Sequence, residues 1–504
     1  MKWKLKTKLL AGVAVLATLS APAFAGKADN SLNIAFSDEI ETLDYYQTAD
    51  RPGLIVGRML YDGLISKDQA TGEFVPELAE SFEIISDTEI DFKIRPGVKF
   101  HNDQILTADD VVFTLNTIKT PEFNARYSIA VNWIAKAEKL DDATVRLTMT
   151  APNPLALEML AGNIPIYSKA YWDEAGAEGM SKAPVGTGPY KLVAMTPGVS
   201  FELQRFDGYY SGGQKADAAI EKINIKIIPE KNTQYIELMN GNLDWIWRVP
   251  TDDVERFASR PNLKVDTTPI MRIEYLELNP NKVDSPLADV RVRKAINYAV
   301  NRQQMADAFM GQGHPLIQSL CNPVQFGCET DVTTYDYNPD KAAELLAEAG
   351  VEAGTSLTIV PNGTEGVAEV IKSSLESLGL NLDITKLQVA VAQEQWYGNM
   401  HDIALTNWGA YGIGDVSMSP AAYLNGTADD IVKDPALAAL VNEANTTMDR
   451  ERRASLYSQI FKTIADEAYV VPLWTRSINA VMSSDLGLSV GPDEFVPFYD
   501  ATWN

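Results

Sequence analysis

The chain has 504 residues, of which 46% are apolar and 22% charged, the composition of a globular protein with a sizeable core. Its formal net charge of −25 argues against a nucleic-acid or anionic-membrane partner, because like charges repel. Two cysteines exclude a four-cysteine zinc site, and the three histidines are too far apart for a histidine-rich metal site. We therefore expect neither a metal nor a cofactor.

The first 25 residues have the pattern of a secretory signal peptide. Four lysines precede an apolar run from Leu9 to Leu19, and Ala23-Phe-Ala25 forms a small-x-small cleavage site. The apolar run is too short to span the ~30 Å hydrocarbon core of a bilayer. No cysteine follows the cleavage site for lipid attachment. We predict export to the periplasm, cleavage near Gly26 and no lipid anchor.

Strands and helices alternate along the rest of the chain. Residues Glu89–Ile94 and Thr144–Met149 alternate polar and apolar side chains, which is typical of half-buried strands. Thr107-Ala-Asp-Asp110 resembles a capping box and predicts a helix start. Further helices are predicted over residues 289–310, 339–349, 367–378 and 434–468, and a buried strand over residues 469–474. This mixture predicts α/β layering with at least two lobes.

The two cysteines lie close together in the sequence. Cys321 and Cys328 enclose the turn-rich segment Asn-Pro-Val-Gln-Phe-Gly, and in an oxidising compartment this arrangement predicts a disulfide. A redox-active pair is the alternative, but the Cys-x-x-Cys spacing typical of such pairs is missing. We therefore predict a structural disulfide.

Two common catalytic motifs are missing from the sequence. The chain has no Gly-x-Ser-x-Gly elbow and no phosphate-binding loop ending in Gly-Lys-Ser/Thr. Acidic residues are so numerous that paired carboxylates carry no information without geometry. A secreted hydrolase acting on a small solute therefore stays open as an alternative function.

Several short segments carry the motifs of one known family. They read Pro-Glu-Leu-Ala-Glu-Ser-Phe-Glu at 76–83 and Arg-Pro-Gly-Val-Lys-Phe-His at 95–101, and they continue at residues 106–113, 186–190, 241–244, 289–299, 337–350 and 407–409. Together they resemble the extracellular solute-binding family 5, the dipeptide-, oligopeptide- and nickel-binding proteins of bacterial ABC importers. Each motif is weak, but their combination and order are specific.

The resemblance implies an α/β type II periplasmic binding protein fold with two lobes, a hinge and the extra subdomain of cluster C. Lobe I would hold residues 26–269 and 477–504, with the subdomain at about 60–184, and lobe II would hold residues 270–476. It also implies a monomeric receptor rather than an enzyme. Such a receptor closes on a small-molecule ligand and delivers it to inner-membrane permease and ATPase subunits.

The resemblance to peptide-binding members also implies ligand contacts in one loop. Trp408 matches a tryptophan that lies in the cleft, and Asp415 matches an aspartate that holds the ligand's ammonium group. We add Tyr411, which lies between them. The alternatives are that Asp415 caps a turn and that Trp408 belongs to the core.

Four further residues are candidates because the family brings their segments to the cleft. In Leu243–Pro250, alternation places Trp245 and Trp247 on one face of a strand and Arg248 on the other. Tyr45 follows the first strand, and Arg272 lies where the chain enters lobe II. Core packing is the alternative role for the tryptophans, and a surface salt bridge is the alternative for the arginines.

The sequence departs from the peptide-binding pattern at one loop. Dipeptide-binding relatives carry an arginine there for the peptide carboxylate, whereas this chain has no basic residue between Thr358 and Ile371. We therefore predict a ligand with an ammonium or polyhydroxylated end near Asp415 and no carboxylate in the usual place. Opines and sugar-like conjugates fit this expectation better than simple dipeptides.

Overall fold

The computed structural model describes residues 25–504, except for residues 49, 69–70, 127, 216–217, 312, 365 and 411. The predicted signal peptide lies outside the described residues up to residue 24, so its cleavage stays a prediction. Within the described part of the chain, no helix combines the length and apolar character needed to cross a membrane.

Strands alternate with helices as the sequence predicts. The strands of the described chain are β1 Ser31–Phe36, β2 Ile65–Lys67, β3 Phe74–Pro76, β4 Ala79–Ser86, β5 Glu89–Ile94, β6 Ile134–Lys139, β7 Thr144–Met149, β8 Tyr190–Thr196, β9 Ser200–Arg205, β10 Lys222–Ile227, β11 Trp245–Ile246, β12 Leu263–Leu278, β13 Ser356–Pro361, β14 Asn381–Ile384, β15 Ile403–Gly409, β16 Val470–Ser483, β17 Leu486–Gly487 and β18 Thr502–Trp503. The predicted strands at Glu89–Ile94 and Thr144–Met149 are therefore confirmed.

The helices of the described chain are α1 Ala25–Ala28, α2 Arg51–Leu60, α3 Ala108–Thr117, α4 Ala156–Leu160, α5 Lys169–Lys182, α6 Lys231–Met239, α7 Thr251–Ala258, α8 Val290–Ala299, α9 Arg302–Phe309, α10 Pro339–Glu348, α11 Val367–Glu376, α12 Val389–Tyr397, α13 Pro435–Thr446 and α14 Arg450–Asp466. The predicted start at Thr107 is confirmed, because the Asp110 carboxylate accepts hydrogen bonds from the Thr107 backbone N–H at 2.9 Å and hydroxyl at 2.8 Å.

Two predicted long helices are each broken into two. The segment 289–310 forms α8 and α9, because Asn301 leaves the helical conformation and its side chain accepts a hydrogen bond from the Gln304 N–H at 3.1 Å. The segment 434–468 forms α13 and α14 for the same reason, with Asp449 accepting from the Arg452 N–H at 2.6 Å. The strand predicted over residues 469–474 continues to Ser483 as β16.

One ten-stranded sheet runs through both lobes in the order β14-β13-β15-β12-β16-β11-β1-β10-β9-β8. In lobe I, β1 is parallel to β10 and β11, and in lobe II, β13 is parallel to β14 and β15. The long antiparallel strands β12 and β16 are shared, and their pairing is irregular between Pro269 and Ile273. This irregularity coincides with the predicted hinge, which, like the lobe boundaries, stays a prediction.

Each lobe has apolar cores on the faces of the sheet. In lobe II, Leu276 and Leu405 point towards α8 and α11, whereas Ile273 and Tyr275 pack with α14 on the opposite face. This division follows from the strand period of two, which sends successive side chains to opposite faces. A separate four-stranded sheet, β4-β5-β7-β6, lies within the range predicted for the extra subdomain.

The predicted disulfide is confirmed. Cys321 and Cys328 are bonded, with their Cα atoms 5.6 Å apart, and together they close a short loop of lobe II. No free cysteine is present among the described residues.

Candidate functional site

The candidate site is the cleft between the lobes, at the carboxyl ends of the parallel strands, where α/β sheets generally bind their ligands. Three cavities of about 50, 100 and 450 Å³ lie along it. All three are lined by the segment 412–418 of lobe II, which follows β15, and by residues of lobe I. We call residues 412–418 the cleft segment.

The disulfide-closed loop positions the cleft segment. The Phe326 N–H donates to the Gly414 carbonyl at 2.9 Å, and the Val416 N–H donates to the Phe326 carbonyl at 3.1 Å. The Gln325 side chain adds a hydrogen bond to the Ile413 carbonyl at 3.2 Å. The backbone of the cleft segment is therefore tied to residues 321–328 rather than to a strand of the main sheet.

Asp415 has partners within the protein. Its carboxylate forms an ion pair with Arg453, both side chains being almost completely buried, and it accepts a hydrogen bond from the Ser417 N–H at 2.9 Å. In this position Asp415 caps a short turn over residues 416–418. The predicted contact with a ligand ammonium stays a prediction, but the geometry favours the capping role, since an ammonium group would have to compete with Arg453.

Trp408, in β15, is hydrogen-bonded to the end of the cleft segment. Its indole N–H donates to the Met418 carbonyl at 2.6 Å, and its ring meets the Tyr423 ring edge-on, with the centroids 5.0 Å apart. It also lines a separate cavity of about 150 Å³ inside lobe II, where burial raises the pKa of Glu277 to about 7. Tyr411, the third candidate in this loop, lies outside the described residues.

Trp245 of β11 and Trp247, which directly follows this strand, lie on one face, as alternation predicts. Trp245 and Trp247 both pack against Phe36 in the core of lobe I, with ring centroids 6.0 and 5.6 Å from it. Neither belongs to the described lining of the three cleft cavities. Their predicted ligand contact stays untested, and the core role is the one that this packing supports.

Arg248 and Arg272 each have a carboxylate partner. Arg248, whose backbone is left-handed with a φ of 52°, lies 3.1 Å from Asp38 and stacks on the Trp247 ring. Arg272 lies 2.8 Å from Glu494. The salt bridges named as alternatives are therefore present, and a role in ligand binding stays a prediction for both arginines.

Tyr45 is the candidate that lines the cleft most directly. It belongs to the walls of two cleft cavities, and its hydroxyl donates to the Gly162 carbonyl at 2.7 Å. Burial raises the pKa of its phenol, so the hydroxyl stays protonated at neutral pH. The structure therefore brings Tyr45 and the segment after Trp408 to the same cleft from opposite lobes.

The sequence reasoning missed four cleft residues of lobe I, which are Arg51, Arg58, Asp493 and Phe495. Arg51 and Arg58, one at each end of α2, both stack on the ring of Phe495, with guanidinium carbons 4.5 and 3.2 Å from its centroid. Arg58 also pairs with Asp493 at 3.0 Å. A signal for Arg51 was present in the sequence but went unused: Asp50-Arg51-Pro52 has the residues of a helix start, where a positive charge is unfavourable.

Comparison with known proteins finds the same family by a family model and by individual relatives. The family model described as bacterial extracellular solute-binding proteins, family 5 (middle part), matches residues 73–430. A glutathione-binding protein of Pectobacterium atrosepticum is 26% identical over 98% of this chain and 97% of its own length. The dipeptide-binding protein of Escherichia coli is 27% identical over 81% of this chain and 82% of its own length.

Solved structures share the fold. HbpA2 from Haemophilus parasuis superposes with a TM-score of 0.83 at 23% identity, covering 94% of this chain and all of that one. NikA from Brucella suis, solved with Fe(III)-EDTA, superposes with a TM-score of 0.82 at 24% identity over the same shares. Nothing in these matches supports the hydrolase alternative.

Proposed function

Because the chain belongs to the bacterial extracellular solute-binding proteins of family 5, we propose that it is the periplasmic receptor of an ABC importer. It closes its lobes on a small polar ligand, such as a peptide or a related conjugate, and presents the closed form to the permease and ATPase subunits. The observation that carries this proposal is the row of cavities between the lobes, each lined by the cleft segment of lobe II and by residues of lobe I.

Closure needs a hinge and a ligand that binds the closed form better than the open form. We place the hinge where β12 and β16 cross between the lobes, close to the irregular pairing between Pro269 and Ile273. Lobe I is then 26–269 with 477–504, and lobe II is 270–476. A protein of this kind acts as a monomer in the periplasm after signal-peptide cleavage, and it releases its ligand unchanged.

The relatives guide the choice of ligands to test. Their names include binding proteins for glutathione and for dipeptides. The experiment is native mass spectrometry of protein purified from periplasm, followed by calorimetry with the identified compound, glutathione, dipeptides and opines. We expect 1:1 saturable binding and intact ligand after prolonged incubation. If the protein converts the ligand chemically, this would contradict the receptor function and support the alternative that the protein is a hydrolase.

A further inference from the structure

One of the cleft cavities is an apolar chamber that contains a single charged side chain. Its volume is about 50 Å³, and its described lining includes Tyr45 and Tyr46 of lobe I and Ile413 and Met418 of the cleft segment. Arg51 is the charged residue in that lining. Arg51 is half-buried, and an arginine in partly apolar surroundings loses hydration, which favours a partner of opposite charge.

Two neighbouring arginines have carboxylate partners, whereas Arg51 has none among the described residues. Within the described part of the chain, Arg58 pairs with Asp493, and Arg272 pairs with Glu494, at 3.0 and 2.8 Å. No carboxylate of the described residues lies within ion-pair distance of Arg51, whose guanidinium only stacks on the ring of Phe495. The two acids nearby are thus already committed to other arginines.

Stability of the helix does not explain Arg51 either. It is the first residue of α2, where the backbone N–H groups give the helix a positive end. A cation is unfavourable there, whereas Arg58 in the last turn is placed favourably. Burial lowers the pKa of the Arg51 guanidinium, and the charges of Glu494 and Asp493 offset this only in part.

We propose that Arg51 is the anchor for a carboxylate on the transported ligand, and that the ligand's carboxylate-bearing end enters the chamber attached to a small apolar group. This inference rests on the proposed receptor function and adds the ligand class. The loop after β13 has no basic residue and so offers no binding site for a ligand carboxylate. Arg51 would provide such a site in the opposite lobe, lobe I.

The chamber favours a carboxylate over larger anions. The planar guanidinium matches the two oxygens of a carboxylate, and one arginine neutralises one negative charge. A phosphate would bring more charge and more acceptor oxygens into an apolar space that holds only about 50 Å³. The side chains of Leu54, Met159 and Ile413 then cover the apolar group next to the carboxylate.

The test compares acids with their amides. The probes are the dipeptide Met-Leu and its C-terminal amide, and N-acetyl-leucine and its amide, the second pair having no ammonium group. Calorimetry and thermal shifts are measured on the wild-type protein, Arg51→Gln, Arg51→Lys and the control Arg205→Gln, whose arginine is the last residue of β9 and has a side chain that is 36% exposed. We expect wild type and the control to bind the acids about tenfold to a hundredfold more tightly than the amides.

The variants separate a ligand anchor from a structural arginine. Arg51→Gln should lose the preference for acids, Arg51→Lys should retain part of it, and ligand-free Arg51→Gln should melt no lower than wild type. The inference is overturned if acids and amides bind wild type equally, if no acid binds, if Arg51→Gln keeps the preference, or if it destabilises the ligand-free protein. Equal binding of both forms would leave the receptor function intact, whereas a protein with no ligand by mass spectrometry and calorimetry would contradict both.

Discussion

At the scale of single residues, the cleft shows how a charged side chain acquires its role from its partner. Asp415 and Arg51 both reach the cleft region, but Asp415 has a buried counter-charge in Arg453, whereas Arg51 has no carboxylate within ion-pair distance among the residues that the structure describes. A paired carboxylate contributes to the shape of the cleft segment, whereas an unpaired cation is free to receive a ligand. We therefore expect a structural role for Asp415 and a ligand-binding role for Arg51.

We expect Asp415→Asn to destabilise the protein. The substitution leaves the Arg453 charge buried without a counter-charge, and such losses amount to about 3–5 kcal/mol. Chemical denaturation gives the free energy of unfolding, and the double variant Asp415→Asn/Arg453→Met should recover part of the loss. If Asp415→Asn is as stable as wild type but binds an amine-bearing ligand tenfold more weakly, Asp415 belongs to the ligand site after all.

We expect His101 to make the stability of the protein depend on pH. Its Nε2–H donates to the Gly188 carbonyl at 2.9 Å and its Nδ1 accepts from the Gly186 N–H at 3.3 Å, which is the pattern of a neutral ring. Burial lowers the pKa of His101 to about 4, so the unfolded chain binds a proton at higher pH than the folded one.

The contribution of His101 is therefore complete above pH 6.5 and is lost as the pH falls from 6.5 to 4, by up to about 3 kcal/mol. Denaturation of wild type and His101→Gln at several pH values measures it. The difference in stability between the two proteins should shrink over this range. A difference that does not change with pH would show that the ring stays uncharged in both states.

At the scale of elements, the disulfide-closed loop and the cleft segment form one unit. The loop at residues 321–328 donates to and accepts from the backbone of residues 413–416, and Asn322 also donates to the Ile270 carbonyl near the predicted hinge. A short covalent loop thus supports a segment that, among the described residues, pairs with no strand of the main sheet. Its stabilising effect should appear locally, in the cleft, as well as in global stability.

We expect the double variant Cys321→Ser/Cys328→Ser to loosen the cleft segment. Opening so short a loop should lower the free energy of unfolding by about 2 kcal/mol. Hydrogen exchange of the amides in residues 412–418 should accelerate more than exchange in β12. Gly327→Ala is the matched variant, since its backbone has a φ of 83° and an added Cβ would lie 2.8 Å from Val416, which displaces the segment with the disulfide intact. Unchanged exchange in residues 412–418 of the double variant would contradict this role.

At the scale of the whole molecule, we expect β12 and β16 to form the hinge between the lobes. They are the strands that the two halves of the sheet share, and their pairing is continuous from Leu263 to Pro269, interrupted between Pro269 and Ile273, and shifted once more between Glu274 and Tyr275. Bending at this point leaves both half-sheets intact. The row of cleft cavities would then open and close as a unit.

We expect a saturating ligand to compact the protein. A ligand that binds only the closed form shifts the population to it, and the melting temperature then rises with ligand concentration. Small-angle scattering should show a smaller radius of gyration with ligand than without it, with a non-binding solute as the control. A ligand that raises the melting temperature while scattering stays unchanged would argue against two-lobe closure.

The sequence by itself determined the local structure and the family. Strand alternation at Glu89–Ile94, the helix start at Thr107 and the disulfide of Cys321 and Cys328 all depend on residues that are close in the chain, and all three are present in the structure. The breaks at Asn301 and Asp449 were missed because hydrophobic periodicity continues across them, although both residues are good helix caps.

Only the tertiary structure decided which cleft residues are free. Asp415 meets Arg453, which follows it by 38 residues, and Arg272 meets Glu494 at a separation of 222 residues, so no local pattern predicts either pair. The same folding brings Asp493 and Glu494 to other arginines, so that in the described part of the chain Arg51 has no carboxylate partner where it lines an apolar cavity. Whether a charge is paired depends on all the residues around it. In the cleft these residues come from segments that are far apart in the sequence, so the sequence alone cannot predict the pairing.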